Sequence, residues 1–150
     1  MRSTVILTIA SVGQAGGPCA WCATLTSKGK RLELTGGSVE STQPRQLWRA
    51  LIEGLNSLTR PCVVLAYTNA AWLVSVMTNR PEDTSRSDDL YREARAAALE
   101  HRLEMHHRAD VATQRDGARE MLKRSDALGD ADMPTEWVYE QADDAQMGLF

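Results

Sequence analysis

The chain has no long apolar stretch. None of its hydrophobic runs approaches the ~18 residues needed to cross a bilayer. The opening Met1-Arg2-Ser3-Thr4-Val5-Ile6-Leu7 is too short for a secretory signal. These absences argue against a membrane role, and the expected address is cytoplasmic. Cysteine is scarce as well: three residues, an odd number, argue against a disulfide framework. Cys19 and Cys22 form a C-x-x-C, but within an apolar, strand-like run rather than at the start of a helix. A zinc site would need two more ligands from Cys62, His101, His106 and His107, whose spacing is not finger-like. Buried or half-buried thiols are the expectation. His106-His107 has no carboxylate at catalytic spacing, and no elbow motif supports a Ser or Cys triad.

What is present is ordinary for one globular domain: 150 residues, 43% hydrophobic and 25% charged. The net charge of -3 conceals an asymmetry. Residues 1–80 hold eight Lys/Arg against Glu33, Glu40 and Glu53, hence +5, while the remainder carries nine basic and seventeen acidic residues, hence -8. A basic half suits a phosphate backbone, and an acidic half opposes a large non-specific footprint. A solvated surface is the plain alternative.

Three β-rich runs open the chain: "STVILTIASV", "CAWCATLTS" and "RLELTGG". They are separated by the Gly16-Gly17-Pro18 turn and by a tight hairpin at Lys28-Gly29-Lys30. "SVESTQPRQLWRALIEGLNSL" changes to helical period, with Leu47, Ala50, Leu51, Gly54, Leu55 and Leu58 on one face and Pro44 in the first turn. "CVVLAYT" is a central strand, "NAAWLVSVM" a short helix and "NRPEDTSRSD" a polar loop. "DDLYREARAAALEH" is a helix capped by Asp88 or Asp89, and "RLEMHH" a brief strand. "VATQRDGAREMLKRSDAL" is a closing helix with Gly117 a weak point. From Gly129 the sequence is acidic and aperiodic, which predicts an extended tail over 129–150 after a domain over 1–128. The predicted order β-β-β-α-β-α-α-β-α gives an α/β domain with a mixed sheet.

That order, with its antiparallel opening, resembles the type I ribonuclease H fold: a mixed five-stranded sheet flanked by helices. Thr8-Ile9-Ala10-Ser11 is similar to the family's Thr-Asp-Gly-Ser, and Gly13 through Pro18 to its Gly/Pro-rich turn. Gln46-Leu47 resembles its helix-borne Glu-Leu, and Thr68-Asn69-Ala70-Ala71-Trp72-Leu73 its Thr-Asp-Ser-Gln-Tyr-Val. "RDGAREML" resembles its closing helix. The resemblance implies cleavage of RNA in RNA–DNA hybrids by two magnesium ions held on four carboxylates. This chain offers Ile9, Gln46, Asn69 and Arg119 at those positions. An aliphatic group, two neutral amides and a guanidinium do not replace carboxylates. At ~4 Å and an effective dielectric of 20, an arginine opposes a divalent ion by several kcal/mol. On this reading the protein is not an enzyme, has no catalytic residues and no metal, and takes no cofactor. The family's Gln is replaced by Ala71, and Lys30, Arg45 and Arg49 are candidate nucleic-acid contacts. Asp110 and Asp116 are the acids from which a relocated metal-dependent nuclease site would have to be rebuilt.

The last five residues, Gln146-Met147-Gly148-Leu149-Phe150, resemble the bacterial sliding-clamp-binding motif Gln-x-x-Leu-Phe. In that reading Leu149 and Phe150 fill an apolar cleft of the DNA polymerase clamp, Met147 packs beside them and Gln146 fixes the register. A terminal Leu-Phe packing on its own domain is the plain alternative. An acidic tip like that of single-stranded-DNA-binding proteins is a rival, though it lacks the usual extra acids and Pro. The expected function is clamp binding that modulates DNA replication or repair. The alternatives are a non-cleaving module for hybrid or duplex, and the relocated nuclease. Trp21, Trp48 and Trp72 are expected in the core, and Trp137 and Tyr139 are expected to dock on the domain.

Overall fold

The computed structural model describes residues 2–79, 88–128 and 136–142. Strands β1 (Ser3–Gly13), β2 (Gly17–Ser27) and β3 (Lys30–Ser41) form an antiparallel meander. Helix α1 (Gln43–Asn56) leads to β4 (Cys62–Thr68), which runs parallel to β1. Then come α2 (Ala71–Asn79), α3 (Asp88–Ala98), β5 (Arg102–His107) parallel to β4, α4 (Ala112–Leu128) and β6 (Glu136–Ala142). The sheet order is β5-β4-β1-β2-β3-β6. The expected mixed sheet and element order are found.

Alternation along the strands assigns the two faces. Val5, Leu7 and Ile9 of β1, with Ala23 and Leu25 of β2 and Leu32 and Leu34 of β3, belong to the main core beneath α1. The opposite face places Ala20 and Cys22 against Ala118 and Met121 of α4. There Gln114 Nε2 donates to Thr24 Oγ1 at 2.7 Å, which satisfies two polar groups within that interface. Each large apolar side chain buried in this way contributes about 1.5–3 kcal/mol. The helices press closely on the strands, and two glycines mark where. A Cβ on Gly54 of α1 would meet Leu7 Cδ1 at 2.7 Å, and one on Gly117 of α4 would meet Cys22 Sγ at 2.8 Å. Gly117, a weak point in the helical pattern, is therefore a close-approach point.

Boundaries shift in two places. Ser38–Ser41, read with the first helix, instead complete β3, and α1 starts after Thr42, whose Oγ1 accepts from Arg45 N–H at 3.3 Å. The alternation of the strand continues until a capping side chain is available. Residues 136–142, read within an extended tail, pair antiparallel with β3 as a sixth strand, Leu32 opposite Ala142 and Ser38 opposite Glu136. This backbone pairing extends the sheet beyond five strands because β3 would otherwise present an unpaired edge. The loop assigned to 79–88 and the terminal peptide at 146–150 lie outside the described residues, apart from the two helix ends, Asn79 and Asp88. Among the described residues no helix is long and apolar enough to cross a membrane.

Candidate functional site

A cleft opens where the parallel strands β1 and β4 end, the usual position for a ligand in an open α/β sheet. It encloses about 660 Å³. Ser11, Val12 and Ala15 line it from β1 and the following turn, Thr42, Gln43, Pro44 and Leu47 from α1, Asn69, Ala70 and Trp72 from β4 and α2, and Arg115 and Arg119 from α4. Polar ties hold the walls. Ser11 Oγ donates to the Gln43 carbonyl at 2.9 Å, and Gln43 Nε2 donates to the Gly13 carbonyl at 2.8 Å. The Ala70 N–H donates to Thr68 Oγ1 at 3.1 Å, fixing the turn after β4.

The positions singled out from the sequence separate here. Asn69 and Arg119 line the cleft. Ile9 does not, being fully buried in the main core. Gln46 is 1% exposed; its Nε2 donates to Ser41 Oγ at 3.1 Å and its Oε1 has no partner. Arg45 and Arg49 reach across to α3 and pair with Asp89 at 3.2 Å and Glu93 at 3.1 Å. The Arg45 guanidinium holds the Asp89 carboxyl below the ordinary carboxylate range. Lys30 stands at the β2–β3 hairpin, beside the start of β1, and so a strand length from the cleft, roughly 25 Å.

Arg115 was not singled out from the sequence. It lies one helical turn before Arg119, and the i, i+4 spacing in "RDGAR" is the signal that could have found it. Trp72, expected in the core, is 40% exposed on the cleft wall, with its ring 5.9 Å from the buried Trp48.

The groups on this wall do not fit the pair of divalent cations that the resemblance implies. Hydroxyls, neutral amides and two guanidiniums supply no carboxylate, whereas hard cations require anionic oxygens. Asp110 Oδ1 accepts from the Ala112 N–H at 3.1 Å, capping α4, and Asp116 pairs with Arg119 at 3.4 Å. Neither acid lines the cleft. Among the described residues no three His, Cys, Asp or Glu side chains are grouped to hold a metal. Cys19, Cys22 and Cys62 are buried and unbridged. Burial, reinforced by the Glu33 carboxylate, pushes the Cys22 thiol far up, so it stays protonated and unreactive.

No family model matches this sequence. A ribonuclease H of Erythrobacter litoralis is 32% identical over 118 residues, covering 71% of this chain and 82% of that protein. One from Symbiobacterium thermophilum is 30% identical over 128 residues, covering 75% and 87%. The match to the ribonuclease H of Caldicellulosiruptor saccharolyticus, 38% identical, spans about half of each chain, 51% and 53%. Among solved structures, the N-terminal ribonuclease H domain of a Mycobacterium tuberculosis protein superposes with a TM-score of 0.71 at 18% identity, over 85% of this chain and all of that one. A ribonuclease H1 solved with RNA/DNA hybrid gives 0.69 at 19% identity, over 83% and 99%. The three relatives bear the name of an enzyme, and this overturns the expectation, drawn from four replaced carboxylates, that the chain is not one. That expectation rested on the four replaced positions alone, whereas relatives 30–38% identical to this chain are named ribonuclease H. With its sheet order, flanking helices and relatives at this identity and coverage, the chain belongs to the ribonuclease H family.

Proposed function

We propose that this protein binds RNA–DNA hybrid or duplex at the cleft between α1 and α4, and that its C-terminal Gln146-Met147-Gly148-Leu149-Phe150 attaches it to the sliding clamp, giving it a role in replication or repair. The observation that carries the first part is electrostatic. Within a ribonuclease H scaffold, the charged groups lining the cleft are two arginines, which suit a phosphate backbone. The related fold solved with RNA/DNA hybrid supports the choice of ligand.

The clamp reading rests on the terminal peptide and on its distance from the fold. Strand β6 ends at Ala142, so only Asp143, Asp144 and Ala145 precede Gln146. Fully extended, that link spans about 14 Å. A clamp holding the peptide would therefore sit beside the β3–β6 edge. Burial of one Leu and one Phe contributes about 1.5–3 kcal/mol each before ordering losses, which sets a micromolar scale.

Two measurements test the proposal. Full-length protein should retain clamp on a pull-down, and deletion of residues 146–150 should abolish retention; undiminished capture by the deletion variant refutes the clamp assignment. Gel shifts with hybrid, duplex and single strands should show a complex with the first two. Failure to shift either defeats the nucleic-acid assignment.

A further inference from the structure

We infer that the cleft is a phosphate site in which Arg115 and Arg119 supply the positive charge, so that a phosphodiester is held there without a divalent cation. The inference deepens the nucleic-acid reading above and rests on it. A polyanion brought to the end of β1 and β4 needs a cationic partner to offset lost hydration. The cleft provides one from α4. Arg115 and Arg119 are four residues apart on one helix, so their guanidiniums stand on the same face, one turn apart. Each guanidinium is a planar fork matched to two phosphate oxygens.

Neither arginine is committed to a strong competitor. Arg115 forms no ion pair with a carboxylate among the described residues, and the Arg119–Asp116 pair is exposed on both sides. Exposed pairs of this kind are weak and easily exchanged. Opposite α4 stand Asn69 and Ser11, with a neutral amide and a hydroxyl, so nothing on the lining repels an anion. Arg45 and Arg49 look equally suitable in the sequence, but they pair with Asp89 and Glu93 of α3 and do not line the cleft.

The experiment measures hybrid binding by full-length protein using fluorescence anisotropy, in Mg²⁺ and in EDTA, across a salt series. Affinity should be the same with and without chelator. Arg115→Ala and Arg119→Ala should each weaken binding by about tenfold and flatten the slope of log K against log salt by about 0.7–0.9. Arg115→Lys should keep the slope while losing part of the affinity, because charge is retained and the fork is lost. A requirement for Mg²⁺, or alanine variants that bind like wild type, overturns the inference. If no hybrid binds at all, the proposed function fails, and inorganic pyrophosphate then decides the site separately. A rise in wild-type Tm that disappears in the double alanine variant upholds the phosphate site, whereas no rise overturns it.

Discussion

At Gly117 the absence of a side chain lets α4 approach β2. Adding a methyl would gain roughly 1 kcal/mol of helix propensity, but would force Cys22 Sγ from 2.8 Å and Glu33 Oε1 from 3.2 Å. Overpacking of this kind costs about 1–3 kcal/mol. Gly117→Ala should therefore destabilise the fold in urea by about 1 kcal/mol, and Cys22→Ala in the same chain should restore part of the loss. His101 gives a prediction in pH. Its Nδ1 accepts from the Cys62 N–H at 3.0 Å, and burial holds its pKa below the ordinary imidazole value. The unfolded chain then binds a proton more readily than the folded one, so stability rises with pH. The contribution is full above about 6.5, declines as pH falls through that value, and is gone below the depressed folded value. Urea midpoints between pH 7.5 and 5.5 should fall for wild type and change less for His101→Gln.

At the scale of elements, β6 adds a sixth strand to the sheet by pairing antiparallel with β3. If residues 143–150 serve a partner rather than the fold, truncation after Ala142 should leave Tm unchanged. Truncation after Leu128 removes β6 and its ladder with β3, so it should lower Tm and expose an edge prone to self-association. The central strands and α1 were legible because period two and period 3.6 are local properties of the chain. The strand β6 was not: seven residues with four polar or charged side chains, "EWVYEQA", show their role only once β3 lies alongside. The same limit applies to Ser38–Ser41, where strand continuation and helix approach look alike until Thr42 caps α1.

For the whole molecule, two binding functions are proposed on different parts of the chain: a cleft at the ends of β1 and β4, and the peptide 146–150. They should be separable by mutation. Arg115→Ala/Arg119→Ala should weaken hybrid binding and leave clamp capture intact, and deletion of 146–150 should do the reverse; a single variant that abolishes both would show the sites to be coupled. The sequence by itself determined the order of strands and helices from β1 to α4, and with it the family resemblance, because side-chain alternation and turn residues act over a few positions. Only the tertiary structure decided which charges are available. Arg45, Arg49, Arg115 and Arg119 are chemically alike in a one-dimensional chain, yet packing sets the first two against Asp89 and Glu93 and turns the last two toward a cleft. An ion pair depends on distance across elements remote in sequence, and that distance exists only when the sheet has assembled.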